Sequence, residues 1–200
     1  MKPCILYGIE SHQSFGPYLI HLDLRDYEEK IFLTMQNVSD IMSEYYNLRH
    51  LAIRLGFPTD ALHDTRTMEH LKTLRLSWQE NVDPGSLFDI LQAPLLENIE
   101  LDGVLPLVDS IPGQWNHLQR FLAHSAPPLR SLDLYKLRCA DIDLVSCLAD
   151  CALLERLWME ECTVDESIVR CLTDDHHPLV TKARDVLGSL RPRTRKMRNF

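Results

Sequence analysis

The chain has 200 residues, 45% of them hydrophobic and 25% charged, which is an ordinary globular composition. No run of 18 or more apolar residues occurs, so no transmembrane helix is expected, and residues 1–16 carry one lysine and a very short apolar run (Cys4 to Ile9), a poor secretory signal. Net charge is −8; the last ten residues hold Arg191, Arg193, Arg195, Lys196 and Arg198 and no acid, which leaves −13 for residues 1–190 and argues against a nucleic-acid surface, where many cations must meet phosphate.

In chain order, residues 3–9 (PCILYGI) read as a buried strand. Residues 1–17 are taken as an N-terminal cap or truncated repeat, because array ends expose an apolar interior unless capped. A natural start here is unexpected, and more chain is expected upstream in relatives. From residue 18 one spacing recurs: Leu19-x-x-Leu22-x-Leu24, Leu48-x-x-Leu51-x-Ile53, Leu71-x-x-Leu74-x-Leu76, Leu96-x-x-Ile99-x-Leu101, Leu129-x-x-Leu132-x-Leu134 and Leu154-x-x-Leu157-x-Met159. The six copies are stepped by 29, 23, 25, 33 and 25 residues, the period of a leucine-rich repeat. Strands are predicted at 18–24, 48–54, 71–77, 96–102, 129–135 and 154–160.

Helical patterns fall between the strands. Residues 31–45 place Ile31, Met35, Val38, Ile41 and Met42 on one stripe. Gly56 and Pro58 end the second strand, and Thr59 or Asp60 can cap a short helix near 60–65. The turn Asp83-Pro84-Gly85 precedes a helix over 87–92, with Ser86 as its expected cap. Residues 114–124 put Trp115, Leu118, Phe121 and Leu122 on one face. Helices over 141–150 and 165–173 are expected to be capped by Asp141 and Asp165. The array is bounded at 18–173. Residues 174–200 form a C-terminal extension whose last ten residues, basic and containing Pro192, are expected to be disordered.

In the motif the second and third apolar residues are two apart, so both point to one face of a strand. The first Leu enters from the bend before it. Successive strands then pair in parallel through right-handed crossovers. The fold class expected is α/β, a leucine-rich-repeat solenoid: a right-handed βα superhelix with parallel strands on the concave face. The residues between the leucines face outward: His21, Asp23, Arg25; His50, Ala52, Arg54; Thr73, Arg75, Ser77; Asn98, Glu100, Asp102; Ser131, Asp133, Tyr135; Arg156, Trp158, Glu160. The first three groups lean basic and the last three acidic, with two aromatics. The expected partner-binding residues are Arg54, Arg75, Glu100, Asp102, Asp133, Tyr135, Arg156, Trp158 and Glu160. Trp158 is expected to be the most exposed aromatic, since large aromatics on an open face serve as interface hot spots.

Sites of other kinds find little support. Cys139, Cys147, Cys151, Cys162 and Cys171 lie in the last third without a disulfide framework and read as reduced thiols in an intracellular protein, cytoplasmic or nuclear. They sit on different elements, not on knuckles that would hold zinc; Cys162 takes the position after the strand where such repeats place Asn or Cys, satisfying backbone at the bend or filling space. His176 and His177 beside Asp174 and Asp175 fall in a polar turn. No G-x-S-x-G, H-E-x-x-H, P-loop or G-x-G-x-x-G occurs. No catalytic, cofactor-binding or metal-ligating residue is assigned, and no cofactor is expected. The basic end RPRTRKMR is weakly like an import signal.

The run APPLRSLDLYKLRCADIDLVSCLADCALLERLWMEECTVDESIVRCLT resembles the repeats of fungal F-box/leucine-rich-repeat proteins, closely over residues 90–173 and more weakly over 18–90. In that family an F-box docks on the Skp adaptor of a cullin ubiquitin ligase, and the repeats present the substrate. No Leu-Pro-x-Glu-Ile-Leu segment precedes the repeats here, so a Skp–cullin partnership is expected only if an F-box lies elsewhere. The ragged start and abrupt basic end suggest a fragment or a shortened gene product. The expected function is a non-enzymatic protein-binding module acting as a ubiquitin-ligase substrate receptor, with no nucleic-acid or membrane partner. The alternative is a generic leucine-rich-repeat scaffold or signalling adaptor unrelated to ubiquitin ligation.

Overall fold

Every copy of the motif becomes one strand, and each strand begins two residues after the first Leu of its copy. A computed structural model describes residues 18–25, 32–57, 64–79, 82–103, 115–137, 144–163 and 166. The elements in order are β1 (His21–Asp23), α1 (Met35–Glu44), β2 (His50–Leu55), β3 (Arg66–Thr67), β4 (Thr73–Trp78), α2 (Gly85–Ile90), β5 (Leu91–Gln92), β6 (Asn98–Asp102), α3 (His117–Ser125), β7 (Ser131–Tyr135), α4 (Leu144–Ala149) and β8 (Arg156–Glu160). The molecule is an α/β protein built on one six-stranded sheet, ordered β1-β2-β4-β6-β7-β8, with every pair parallel.

The bend before the strands repeats. The amides of Leu48, Leu71, Leu96 and Leu154 donate to the carbonyls of Tyr45, Met68, Ala93 and Cys151 at 3.0–3.2 Å. That tight turn draws the first Leu inward, and Leu48, Leu71, Leu96 and Leu129 are buried. Adjacent repeats are stitched by one shared acceptor: the carbonyls of Ile20, Arg49, Lys72, Glu97 and Arg130 each accept two successive amides from the next copy, at 2.8–3.1 Å. These bonds satisfy backbone that would otherwise be orphaned where the ladder begins. Past the strands, Lys136 and Glu161 occupy equivalent positions and both have positive φ (60° and 56°).

The alternation of a strand does the rest. Leu51, Leu74, Ile99, Leu132 and Leu157 form one buried row across the sheet, and Ile53, Leu76, Leu101 and Leu134 form the next. The helices close over this face. Met35, Val38, Ile41 and Met42 are buried as the stripe in α1 predicts; Ile31 lies outside the described residues. The helix itself starts at Met35, because Thr34 accepts from the Asn37 amide while the Asn37 side chain accepts from the Thr34 amide, a reciprocal cap. Trp115, Leu118, Phe121 and Leu122 are buried against Phe88, whose ring meets Trp115 and Phe121 edge-on at 5.8 and 5.6 Å. Gly103 lies directly under Trp78, where a Cβ would come within 2.6 Å of the indole.

Several local expectations are corrected. The helix predicted over 87–92 runs over Gly85–Ile90, and Leu91–Gln92 instead pairs with Arg66–Thr67 as a second, two-stranded parallel sheet. Ser86 does not cap it: Pro84 stands at the cap position, and the Asp83 carboxylate accepts from the Gly85 amide at 2.8 Å. The strands are also shorter at their N-terminal ends than predicted, because the first Leu belongs to the bend. Helix α3 begins three residues later than 114, and α4 covers Leu144–Ala149 of the described residues 144–150, with Asp150 in a turn. The strand at 3–9, most of the helices at 60–65 and 165–173, the caps Thr59, Asp60, Asp141 and Asp165, Cys139, Cys171, and the region 174–200 lie outside the described residues. Among the described residues no helix is long and apolar enough to cross a membrane.

Candidate functional site: the polar face of the sheet

Because the strands pair without a slip, the outward side chains also fall into rows. The first row runs His21, His50, Thr73, Asn98, Ser131, Arg156, and the second Asp23, Ala52, Arg75, Glu100, Asp133, Trp158. The third runs Arg54, Ser77, Asp102, Tyr135, Glu160. The nine predicted site residues all stand on these rows. The structure does not bring all nine together.

Arg75, Glu100, Asp133 and Arg156 line a shared hollow of about 310 Å³ over the first two rows. Arg75 Nε lies 3.0 Å from Glu100 Oε2. Arg156 grips Asp133 through Nε (3.3 Å) and Nη2 (3.0 Å), and its Nε also donates to Ser131 Oγ at 2.9 Å. Arg25, just past β1, donates to both oxygens of Asp23 and through Nη1 to Glu100 at 3.2 Å. Three strand spacings of about 4.8 Å separate β1 from β6, so Arg25 and Glu100 meet by reaching toward each other across the intervening strands. The small Ala52 stands on that route, and it is 5% exposed although it belongs to the polar face. The guanidinium of Arg25 holds the Asp23 carboxyl below the usual carboxylate range.

The predicted split into a basic half and an acidic half is therefore neutralised across the face: Arg25 and Arg75, from the basic side, both end on Glu100. Each of these pairs is partly exposed and contributes about 0–1 kcal/mol at most. Their effect is to fix where the guanidinium and carboxylate groups point, more than to hold the fold.

Asp102, Tyr135 and Glu160 stand on the third row, toward the other end of β6, β7 and β8, and Trp158 on the second row in register with Asp133; all four are outside the lining of the hollow. Trp158 is half-buried and is not the most exposed aromatic. Among the described residues Tyr18 and Tyr46 expose more, at 80% and 51%. The reason is local: the Trp158 indole lies along its own strand and donates to Glu160 Oε2 at 3.4 Å. Tyr135 is also half-buried; burial first, then the charges of Asp133, Glu100 and Glu160, push its phenol pKa up. Asp102 faces Lys136 at 3.6 Å. Arg54 stands apart, its guanidinium 5.1 Å over the Phe32 ring.

Sequence reasoning placed His21, Asp23, Arg25, His50 and Ser131 on this face without choosing them as site residues. Their signal was the same alternation that selected the others; the preference for aromatics and the last three strands passed them over. The His21 and His50 rings lie 5.4 Å apart. The His50 pKa is lowered by partial burial first, then by His21, Arg75, Arg49 and Lys72.

The cysteines of the described region are packed or bonded to backbone. Cys147 and Cys151 are buried, and burial pushes the Cys151 thiol up to about 11. Cys162 Sγ donates to the Leu134 carbonyl at 3.4 Å, as expected for that position after the strand. Among the described residues no group of three or more His, Cys, Asp or Glu could hold a metal ion. The cluster at 174–177 lies outside them. No protein-family model, curated protein or solved structure matches the chain.

Proposed function

We propose that the chain is a leucine-rich-repeat solenoid, a right-handed βα superhelix with the sheet on its concave side, and that it works as a non-enzymatic protein-interaction module. On this reading it resembles the substrate-binding repeats of an F-box ubiquitin-ligase receptor. One observation carries the reading: six strands follow one another in sequence order and in register, so the residues between the leucines form a continuous polar face. Such a face offers breadth for a protein surface. Ser131 Oγ, one of the hydroxyls on that face, donates to Asp133 and accepts from Arg156. Trp158 and Tyr135 supply large rings at its far end, the residue types that concentrate binding energy.

The test is affinity capture from fungal lysate with the full chain as bait. Trp158→Ala combined with Tyr135→Ala is expected to weaken the captured partner by about tenfold or more, as loss of two hot-spot aromatics does. Both residues are half-buried and outside the core, so thermal unfolding should move little. Skp adaptor and cullin co-purifying with the bait would support the ligase-receptor reading. A partner lost in the double variant with no Skp adaptor or cullin would leave a leucine-rich-repeat scaffold. A partner that survives the double substitution would place the contact off this face.

A further inference from the structure

The main sheet ends on one side at β1, which pairs with β2 alone. The bonds at the two ends of that pairing fix which groups it uses. The Ile20 carbonyl accepts from the His50 amide at 3.1 Å, and the Leu24 amide donates to the Ala52 carbonyl at 2.8 Å. Backbone groups of successive strand residues point to opposite edges. Residues 20, 22 and 24 therefore face β2, and the N–H and C=O of His21 and Asp23 point away from it. Among the described residues nothing bonds to those groups on that side. The apolar side of this edge is open as well. Leu19, Leu22 and Leu24 are partly buried, where Leu51, Leu74 and Leu132 of the inner strands are buried completely. Immediately before β1, Tyr18 and Ile20 are two of the five large apolar residues exposed among those described.

An open sheet edge is a template for one more strand, and the residues here select which. The stretch Ile20-His21-Leu22-Asp23-Leu24 is complementary to itself when laid against its own reverse about Leu22. In that antiparallel arrangement His21 stands opposite Asp23 of a second copy, and Asp23 opposite the second copy's His21. These are the pairs that exchange both backbone bonds, so every outward N–H and C=O of the edge finds a partner. The alternate pairs are Leu22 with Leu22 and, at either end, Ile20 with Leu24. They are apolar and fall on the core side, at the positions where facing side chains approach most closely.

We propose that β1 pairs antiparallel with β1 of a second copy, centred on Leu22, to give a two-fold dimer with one continuous sheet. The axis runs perpendicular to the sheet, so both polar faces open on the same side and each copy covers the open end of the other's core. Opposite charges at His21 and Asp23 fix the register, and each contact occurs twice. The strand is three residues long, which makes this a weak, concentration-dependent dimer. The pairing does not depend on what the polar face binds, so it stands or falls separately from the interaction reading above.

Sedimentation velocity of the full chain from about 5 to about 500 μM, the range of weak association, tests this. The 23.2 kDa chain should move toward twice its mass as concentration rises, and no further. His21→Asp sets two carboxylates opposite each other at both pairs; like charges so placed oppose pairing, and the dissociation constant should rise about tenfold. Combining His21→Asp with Asp23→His exchanges the two charges and should return the constant to within about threefold of the parent. His21→Pro removes an outward N–H at an edge position that tolerates proline and should also weaken the dimer about tenfold or more. The bonds from residues 20, 22 and 24 to β2 are untouched by it. Should His21→Pro fail to fold, the charge exchange carries the test. A chain that stays at 23.2 kDa throughout, as it would if its own residues 1–17 held this edge, overturns the proposal. So do assemblies larger than a dimer, a His21→Asp variant that dimerises as tightly as the parent, or an exchange that recovers nothing.

Discussion

Leu132→Asp will abolish the cooperative thermal transition of the chain, with or without a partner present. Leu132 is fully buried in β7, between Ile99 on β6 and Leu157 on β8. The substitution forfeits the roughly 1.5–3 kcal/mol of burying a leucine. It also places a carboxylate where no cation faces it, at a further cost of several kcal/mol. Together these approach the whole stability of a domain, about 5–15 kcal/mol. Leu132→Ala separates the two effects: it should cost about 2–5 kcal/mol and lower Tm by roughly 5–20 °C for a chain of this size. Differential scanning calorimetry reads both. A transition within about 2 °C of the parent for Leu132→Asp, less than 1 kcal/mol shifts it, would mean that the row does not face the core.

Phe88→Ala should be nearly as damaging, from the helical side. Phe88 is fully buried in α2 and joins two aromatic neighbours from the α3 region, Trp115 and Phe121. Removing the ring should cost about 3–5 kcal/mol, since edge-on contacts are lost along with buried area. Phe88→Leu keeps most of the volume and should recover more than half of the loss. Because Asp83 anchors both the Gly85 amide and the Trp115 indole N–H, each at 2.8 Å, Trp115 cannot readily swing into the space left. Denaturant unfolding followed by Trp fluorescence would register the change. A midpoint unmoved in Phe88→Ala would show that this cluster is not part of the cooperative core.

The strands were legible because a period-two pattern inside a period of about 25 residues has few other physical solutions. Leu51, Leu74, Ile99 and Leu132 could be aligned from the sequence, and the register of the sheet follows that alignment. Helix existence was legible from stripes such as Met35, Val38, Ile41 and Met42. Helix ends were not, because they depend on caps: Ser86 has a favourable cap chemistry, but the preceding Pro84 and the reach of Asp83 decide where α2 begins. The pairing of Leu91–Gln92 with Arg66–Thr67 is too short to leave a pattern. Which outward residues gather was legible as a set of rows and not as contacts. The reach of Arg25 to Glu100 depends on Ala52 being small, a fact visible in the sequence only once the strands are laid side by side. The orientation of the Trp158 indole toward Glu160 is a rotamer choice that no spacing encodes.

Each inner strand of the main sheet pairs with strands contributed by the next and the previous copy, and each edge strand with one of them. A chain built this way can be completed as it is synthesised, since an early segment need not wait for a distant one before its ladder closes, and loop-closure costs stay small. The bond from Arg25 to Glu100 bridges 75 residues, the longest span of any hydrogen bond in the described region. It can form only after the fourth strand of the sheet has emerged, so it serves as a late clasp across an assembly already in place.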